Sequence, residues 1–407
     1  MKRHVLARAV AALGVVSAVL AAPGGAANGL LPSLLSRALN APFVDFATSG
    51  AVVVDLSTGR VVFAHNATLP LRPASNEKLA VTYAALTALG PAFRIETDVL
   101  GEGEQDRSAW HGNLVLKGYG DPTLSSRDLG ALARQVRADG ITTVSGEVLG
   151  DETWFDAHRT APGWKAAFYI NESPPLSALI VDRGAVGRFT SHNPALSAAQ
   201  TFTKLLRRAG VTVAGGATLG AADDAGVELA SVDSPTLAAM VNWMDKVSDN
   251  FTAEMLTKEL GAVQAGAGTT AAGIGVVRAQ LAAAGISLDG VRMVDGSGLS
   301  LLDRMTASTL VALLRLMWSD PSMHQELLAS LPVAGRSGTL HDRMRHTVAV
   351  GVVRAKTGTT DNSTALSGFV GDSYVFSVLV NGEPVSWTAS RDAEDRFAVA
   401  LAAQQLH

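Results

Sequence analysis

The sequence predicts an α+β protein whose main sheet is assembled from both ends of the chain and flanked by helices, with a second domain inserted. Strand-like runs occur near the start, within 51–64, and again within 352–380, with helical patterns before the second group. The length of 407 residues exceeds what one simple core usually serves, which favours two domains.

The composition excludes several classes of protein. An apolar content of 47% and a charged content of 17% are typical of a globular chain. A formal net charge of −4, without a basic run, excludes nucleic acid as an expected partner. The chain has no cysteine, which excludes disulfides, thiol catalysis and a lipid anchor on cysteine.

Residues 1–26 have the pattern of a signal peptide. Lys2, Arg3 and Arg8 precede an apolar run over 9–22, and small residues follow it. The run is shorter than the ~20 residues of a membrane-spanning helix. We therefore expect export to a periplasmic or other extracytoplasmic, cell-wall-associated location. Retention of the uncleaved segment as an anchor stays open.

The first predicted elements belong to the main domain, which we assign to 27–92 and 233–407. An amphipathic helix at Leu30–Leu39 is followed by strands at 51–56 and 60–64, which a Ser-Thr-Gly turn joins. A helix then begins at Ser75 and stops before Gly90 and Pro91.

The region 93–232 is predicted to be an inserted domain of mixed α and β structure. Short strand-like pieces at 113–117 and 145–149 alternate there with turns and one helix at 126–139. The main domain then resumes with helices at 235–246, 251–260, 269–284 and 306–318, strands at 352–359, 365–370 and 374–380, and a last helix at 390–405. Trp243 is predicted to be a core residue.

The helix that begins at Ser75 carries an unusual residue in its first turn. Ser75 occupies the predicted N-cap, and Lys78 stands where a capping box would have Glu or Gln. Residues three apart share a helix face, so the amine would lie beside the hydroxyl. A lysine kept neutral by burial can take the proton of a serine nucleophile. The alternative is an ordinary N-cap followed by a solvated lysine.

The tripeptide Ser248-Asp249-Asn250 interrupts two predicted helices. One interpretation is a cap that starts the second helix. The other directs the Ser248 hydroxyl and the Asn250 amide into a cleft. Ser248 would then pass a proton to a leaving amine, and Asn250 would hold Lys78 and an amide of the substrate.

The tripeptide Lys356-Thr357-Gly358 ends a β-branched run and therefore lies on a strand. Glycine in a strand is expected where another backbone comes close, and a peptide substrate added as a further strand would need that room. Lys356 and Thr357 would then bind a terminal carboxylate. The alternative is an exposed strand end that runs into a turn.

Together, the three motifs in this order form the signature of penicillin-binding proteins and class A β-lactamases. From about Ala51 onward the chain resembles the penicillin-binding protein 4 family of D-alanyl-D-alanine carboxypeptidases and endopeptidases, peptidase family S13. Six further segments carry this resemblance: 112–124, 146–156, 161–164, 295–300, 338–344 and 355–370. The fold that it implies is the β-lactamase/transpeptidase-like fold with a five-stranded antiparallel sheet.

The resemblance implies a serine DD-peptidase that cleaves the D-Ala-D-Ala bond of peptidoglycan stem peptides through an acyl-enzyme and binds β-lactam antibiotics covalently. The implied catalytic residues are Ser75, Lys78, Ser248, Asn250 and Lys356. The implied substrate-binding residues are Thr357, Gly358, Thr359, Asp151 and Phe155, with the backbone N–H groups of Ser75 and Thr359 as the oxyanion hole. No metal or organic cofactor is expected.

Two features depart from the family pattern. The third domain that many members carry has no room between about residues 180 and 202. In addition, Leu301 replaces an arginine that binds a carboxylate on the diamino acid of the substrate, and Arg304 is a candidate substitute. Asp151 and Phe155 match positions that line the other side of that pocket.

Several questions stay open at this point. The balance of carboxypeptidase and endopeptidase action and the oligomeric state are not indicated. A β-lactamase or esterase with the same acylation residues is one alternative function. A penicillin- or wall-binding module without turnover is another.

Overall fold

The computed structural model describes residues 30–223 and 225–405. The predicted signal peptide at 1–26 lies outside the described residues. The helices are α1 (Leu30–Leu39), α2 (Lys78–Ala88), α3 (Ser126–Ala138), α4 (Pro194–Arg208), α5 (Leu237–Val247), α6 (Asn250–Ala265), α7 (Thr270–Ala283), α8 (Ala307–Ser319), α9 (His324–Ser330) and α10 (Trp387–Gln404).

The strands form two large sheets and one small hairpin. They are β1 (Ser49–Asp55), β2 (Val61–His65), β3 (Glu96–Asp106), β4 (Ala109–Gly118), β5 (Thr143–Val144), β6 (Val148–Asp151), β7 (Ala185–Val186), β8 (Phe189–Thr190), β9 (Thr212–Val213), β10 (Ala217–Leu219), β11 (Val227–Asp233), β12 (Val353–Thr360), β13 (Ser363–Val370) and β14 (Tyr374–Asn381).

The first sheet has the order β12-β13-β14-β1-β2, and every pair in it is antiparallel. Helices cover both of its faces. Because successive residues of a strand point to opposite faces, Val52 and Val54 pack against the central helices, whereas Ala51 and Val53 pack on the side of α1 and α10. The predicted sheet assembled from both chain ends is confirmed.

The second sheet lies between Glu96 and Asp233 and has seven strands: five in the order β10-β6-β4-β3-β11, with β5 paired to β4 and β9 paired to β5. It is mixed, because β6 runs parallel to β4 and β10 whereas β3 runs antiparallel to β4 and β11. Two helices, α3 and α4, share its hydrophobic core, so the expectation of one helix in this region was wrong. The domain bounds of 27–92, 93–232 and 233–407 remain a prediction.

Trp243 is not a core residue, because 55% of it is exposed. The buried residues of α5 are spaced at helical intervals at Leu237, Met240, Val241 and Met244. Trp243 falls on the opposite face of that helix.

Three elements of the predicted main domain meet at one place. They are the start of α2, the junction of α5 and α6, and the edge strand β12. Helix α2 is central, since every residue from Lys78 to Leu86 is buried. Within the described ranges, no single helix is long and apolar enough to cross a bilayer; α6 and α7 together meet that test, across a bend of 76°.

Candidate active site

Ser75 is not the N-cap that the sequence predicts. Residues Ala74–Glu77 form a short 3₁₀ turn that leads directly into α2, and no side-chain bond caps either helix. Because the preceding turn continues into the α-helix, the Ser75 hydroxyl is not used for capping. It faces Lys78 instead, with 2.8 Å between Ser75 Oγ and Lys78 Nζ.

Lys78 is fully buried, and its Nζ contacts three oxygens. Besides Ser75 Oγ these are Asn250 Oδ1 at 2.8 Å and the carbonyl oxygen of Ser297 at 2.6 Å. Burial disfavours the charged amine and lowers the pKa of Lys78 to about 8, although nearby carboxylates, Asp295 first, oppose the shift. The neutral amine that a general base requires is therefore accessible in mildly alkaline solution.

The junction of α5 and α6 serves both of the roles considered for it. Asp249 is the N-cap of α6 and accepts the N–H of Thr252 at 2.7 Å. Ser248 takes a left-handed conformation with φ of 62°, which ends α5. This turn leaves Ser248 Oγ and the Asn250 amide free to face the cleft.

Lys356 lies on β12 and is also fully buried. Its Nζ donates to Ser248 Oγ at 2.8 Å and to the carbonyl oxygen of Thr357 at 2.8 Å. Burial is the main cause that lowers the pKa of Lys356 well below its usual value, and the charge of Lys78 adds to the effect. One buried amine, that of Lys78, thus contacts the Ser75 hydroxyl, and the other, that of Lys356, contacts the Ser248 hydroxyl.

Gly358 is required by the close approach of another part of the chain. A Cβ placed there would lie 3.0 Å from both the Ser75 nitrogen and the Pro73 oxygen, and 2.9 Å from the Ala74 Cβ. The backbone that comes close to this glycine is therefore the turn that carries Ser75. Glycine at this position allows β12 to pass directly beside the nucleophile.

These residues surround a cleft of about 730 Å³. Of the predicted residues, Ser75, Ser248, Asn250, Thr357, Gly358 and Thr359 line it, with Lys78 and Lys356 behind them. Other lining residues were not predicted, and they include Glu172, Thr339 and Arg391. They come from segments far apart in the chain, so no spacing could have indicated them.

Asp151 and Phe155 are not among the residues that line this cleft, and their place beside a diamino-acid pocket remains a prediction. Asp151 is buried at the end of β6, where it accepts bonds from the Thr153 and Ala222 backbone N–H groups and pairs with Lys117. Phe155 is buried in a small apolar cluster that includes Phe251. Both side chains are occupied by structural contacts.

Arg304, the candidate substitute for the arginine that Leu301 replaces, is held by its own loop. Its Nη1 donates to the carbonyl oxygens of Leu301 and Asp303, at 2.9 and 2.6 Å. The guanidinium is therefore engaged by the backbone of its own loop, and Arg304 is not among the residues that line the cleft.

A group of buried carboxyls lies near Lys78. It comprises Glu77, Glu254, Asp295 and Asp303. Burial and the neighbouring acids raise the pKa of Glu254 to about 8 and that of Asp303 to about 12. Glu254 and Asp303 are thus largely protonated at neutral pH, which limits the negative charge around Lys78.

The described residues contain no cluster of three or more His, Asp or Glu side chains arranged to hold a metal ion. The expected absence of a metal remains a prediction. The chemistry available to the site is that of hydroxyls, amines and amides around one serine.

Comparison with known proteins gives the family. The model of the D-Ala-D-Ala carboxypeptidase 3 (S13) family matches residues 31–188 and 185–404. A D-alanyl-D-alanine carboxypeptidase of Actinomadura sp. (strain R39) is 34% identical over 471 aligned positions, which cover 95% of this chain and 87% of that protein. The alignment is longer than this chain of 407 residues, so the relative has residues without a counterpart here.

Solved structures agree on the fold. The crystal structure of penicillin binding protein 4 (dacB) from Haemophilus influenzae has a TM-score of 0.81 at 22% identity, covering 92% of this chain and 98% of that one. The same protein complexed with a β-lactam has a TM-score of 0.77 at 21% identity, covering 92% and 99%. The family model matches nearly all of the described part of the chain. The chain therefore belongs to the D-Ala-D-Ala carboxypeptidase 3 (S13) family.

Proposed function

We propose that this protein is a serine-type D-Ala-D-Ala carboxypeptidase that acts on peptidoglycan stem peptides through an acyl-enzyme and is acylated by β-lactams. The observation that carries the proposal is the contact of 2.8 Å between Ser75 Oγ and the buried Lys78 Nζ. Membership of the S13 family supports the substrate class. The signal-peptide pattern supports an extracytoplasmic location.

In acylation, Ser75 Oγ attacks the carbonyl carbon of the penultimate D-Ala while Lys78 Nζ takes the hydroxyl proton. The oxygen that becomes negative is held by the backbone N–H groups of Ser75 and Thr359, and losing one such donor typically costs about 10²–10³ in kcat. The amide bond breaks when the proton that Lys78 took from Ser75 reaches the amide nitrogen through Ser248, which Lys356 contacts at 2.8 Å. The terminal D-Ala leaves as a free amine.

In deacylation, a water molecule attacks the ester on Ser75 and gives up one proton to Lys78. The ester C–O bond breaks, Ser75 Oγ regains a proton, and the shortened peptide leaves as a carboxylate. The enzyme returns to its starting protonation state, so the cycle needs no co-reactant other than water.

Endopeptidase action on crosslinks is favoured as a second activity by the shape of the cleft. Beyond β12 it adjoins an apolar pocket of about 470 Å³ beside α10, and Met344, Asp392 and Asp395 line both spaces. A departing D-Ala would leave most of this room unfilled. A second stem peptide as the leaving group would use it.

The proposed nucleophile is tested with fluorescent penicillin and a synthetic D-Ala-D-Ala peptide. We expect the Ser75→Ala variant to take no label and to lose roughly 10⁴-fold or more of its turnover, because the attacking oxygen is missing. The exposed Ser108 gives a matched control, Ser108→Ala, which should behave as the wild type.

The same experiment separates the alternative functions. A label that persists on Ser75→Ala contradicts the assignment. A wild-type adduct that clears within seconds indicates a β-lactamase, and labelling without peptide turnover indicates a binding module. Mass spectrometry of digested peptidoglycan reports whether crosslinked dimers are cleaved as well as pentapeptides.

The pH dependence follows from Lys78 as the base. Because its pKa is lowered to about 8 and the neutral form is active, the rate constant for acylation by penicillin should rise with pH. The neutral fraction, and with it the rate, should increase roughly tenfold between pH 7 and pH 9. A stopped-flow profile that is flat or falls over this range would contradict the proposal.

The close passage of β12 beside the Ser75 turn predicts that Gly358→Ala slows acylation. The added Cβ would meet the Ser75 nitrogen at 3.0 Å and displace the turn. Misplacement of reacting groups by about 1 Å costs about 10²-fold, so we expect a loss of roughly 10- to 100-fold. Gly275→Ala on α7 is the control, since a Cβ there meets nothing within 4 Å. Equal rates for both variants would contradict the expectation.

Because Leu301 replaces a carboxylate-binding arginine, we expect the protein to have only a weak preference for a free carboxylate on the diamino acid of the stem peptide. Wild-type kcat/KM should differ little between peptides with and without that carboxylate. Leu301→Arg should raise the preference by roughly tenfold or more, because a charged hydrogen bond is added. A strong preference in the wild type would show that other residues supply this recognition.

A further inference from the structure

The cations around the cleft differ in whether they already form an ion pair or a hydrogen bond within the site. Arg343 lines the cleft but pairs with Glu394 at 3.0 Å and with Asp395 at 2.7 Å. Lys165 pairs with Asp361 at 2.6 Å. Lys78 and Lys356 are buried and donate to oxygens of the site itself.

Arg391 is the exception. It is exposed near the start of α10 and lines the cleft, and no carboxylate among the described residues lies within ion-pair distance of its guanidinium. Its Nη2 donates to Thr359 Oγ1 at 3.0 Å, and its guanidinium lies 5.9 Å from the Trp387 ring. Trp387 is fixed in turn, because its Nε1 donates to the Thr360 carbonyl oxygen at 2.8 Å.

These contacts place a charged group beside Thr359, at the part of the cleft that α10 lines. Gly358 lies against the Ser75 turn, and Thr359 is the next residue of β12. The proposed substrate ends in a carboxylate on the residue that departs. A guanidinium stays charged at all relevant pH values and binds a carboxylate through two parallel hydrogen bonds.

Lys356 is poorly suited to the same task. Its amine is fully buried, and both of its contacts are internal to the site. The same burial lowers the pKa of Lys356, so the amine carries less positive charge with which to bind a carboxylate.

We propose that Arg391 is the substrate-binding residue that recognises the free carboxylate of the departing residue. The inference rests on the proposed function and adds a residue of α10 to Lys356 and Thr357, to which the sequence analysis assigned this recognition. Three acidic residues, Asp342, Asp392 and Asp395, also line this end of the cleft. Asp395 is paired with Arg343 and Asp342 with Arg345, whereas Asp392 is exposed.

The test compares an N-acetylated peptide that ends in D-Ala-D-Ala with the same peptide as its C-terminal amide. We expect the ratio of kcat/KM for acid over amide to fall by roughly 10- to 100-fold in Arg391→Gln, because a charge-assisted contact is lost. Arg391→Lys should recover part of the ratio. Arg207→Gln, the same charge change at an exposed position of α4, should leave the ratio as in the wild type.

Turnover of the amide by Arg391→Gln serves as the folding control, since the amide has no carboxylate to recognise. An unchanged ratio in Arg391→Gln, with an active wild type, would overturn the role of Arg391 alone. Absence of turnover of either peptide by the wild type would overturn the proposed function and this inference with it.

Discussion

The site depends on the burial of one amine among three oxygens. Lys78 Nζ lies within 2.8 Å of oxygens from Ser75, Asn250 and Ser297. The three come from the turn before α2, the junction of α5 and α6, and the loop at 295–300. Leaving a buried donor without its partner costs about 1–3 kcal/mol, so the amine requires all three segments to stay in place. The burial that demands these partners also lowers the pKa that catalysis needs.

The loop at 295–300 fixes the position of the Ser75 turn from the other side. Gly298 has φ of 78°, and a Cβ there would lie 1.9 Å from the Ala74 oxygen, so only glycine allows this approach. Asp295 holds the loop by accepting the N–H of Gly298 and the Nε1 of Trp164, both at 2.8 Å. Trp164 belongs to the region between the two halves of the first sheet. That region therefore contributes directly to the geometry of the nucleophile.

The sequence predicted the structure correctly where the residue types of a segment favour one kind of secondary structure. The β-branched runs gave the first sheet, and the helical spacing of apolar residues gave most helices of the main domain. The sequence analysis missed α4, although Ala195, Ala198, Ala199, Phe202 and Leu206 recur there at helical spacing. The structural contacts of Asp151 and Phe155 could not be predicted either, because a matched motif does not show what else competes for a side chain. Arg391 was missed because it meets Thr359 only through the packing of the last helix against the edge of the sheet.

The central claim is that the buried Lys78 amine loses its proton near pH 8, and NMR of lysine labelled with ¹⁵N at Nζ measures this directly. Lys78→Met identifies the resonance by its absence. The account predicts a titration midpoint near pH 8, against 10.5 for an ordinary lysine. A resonance that keeps the shift of an ammonium ion to pH 10 or beyond would contradict it.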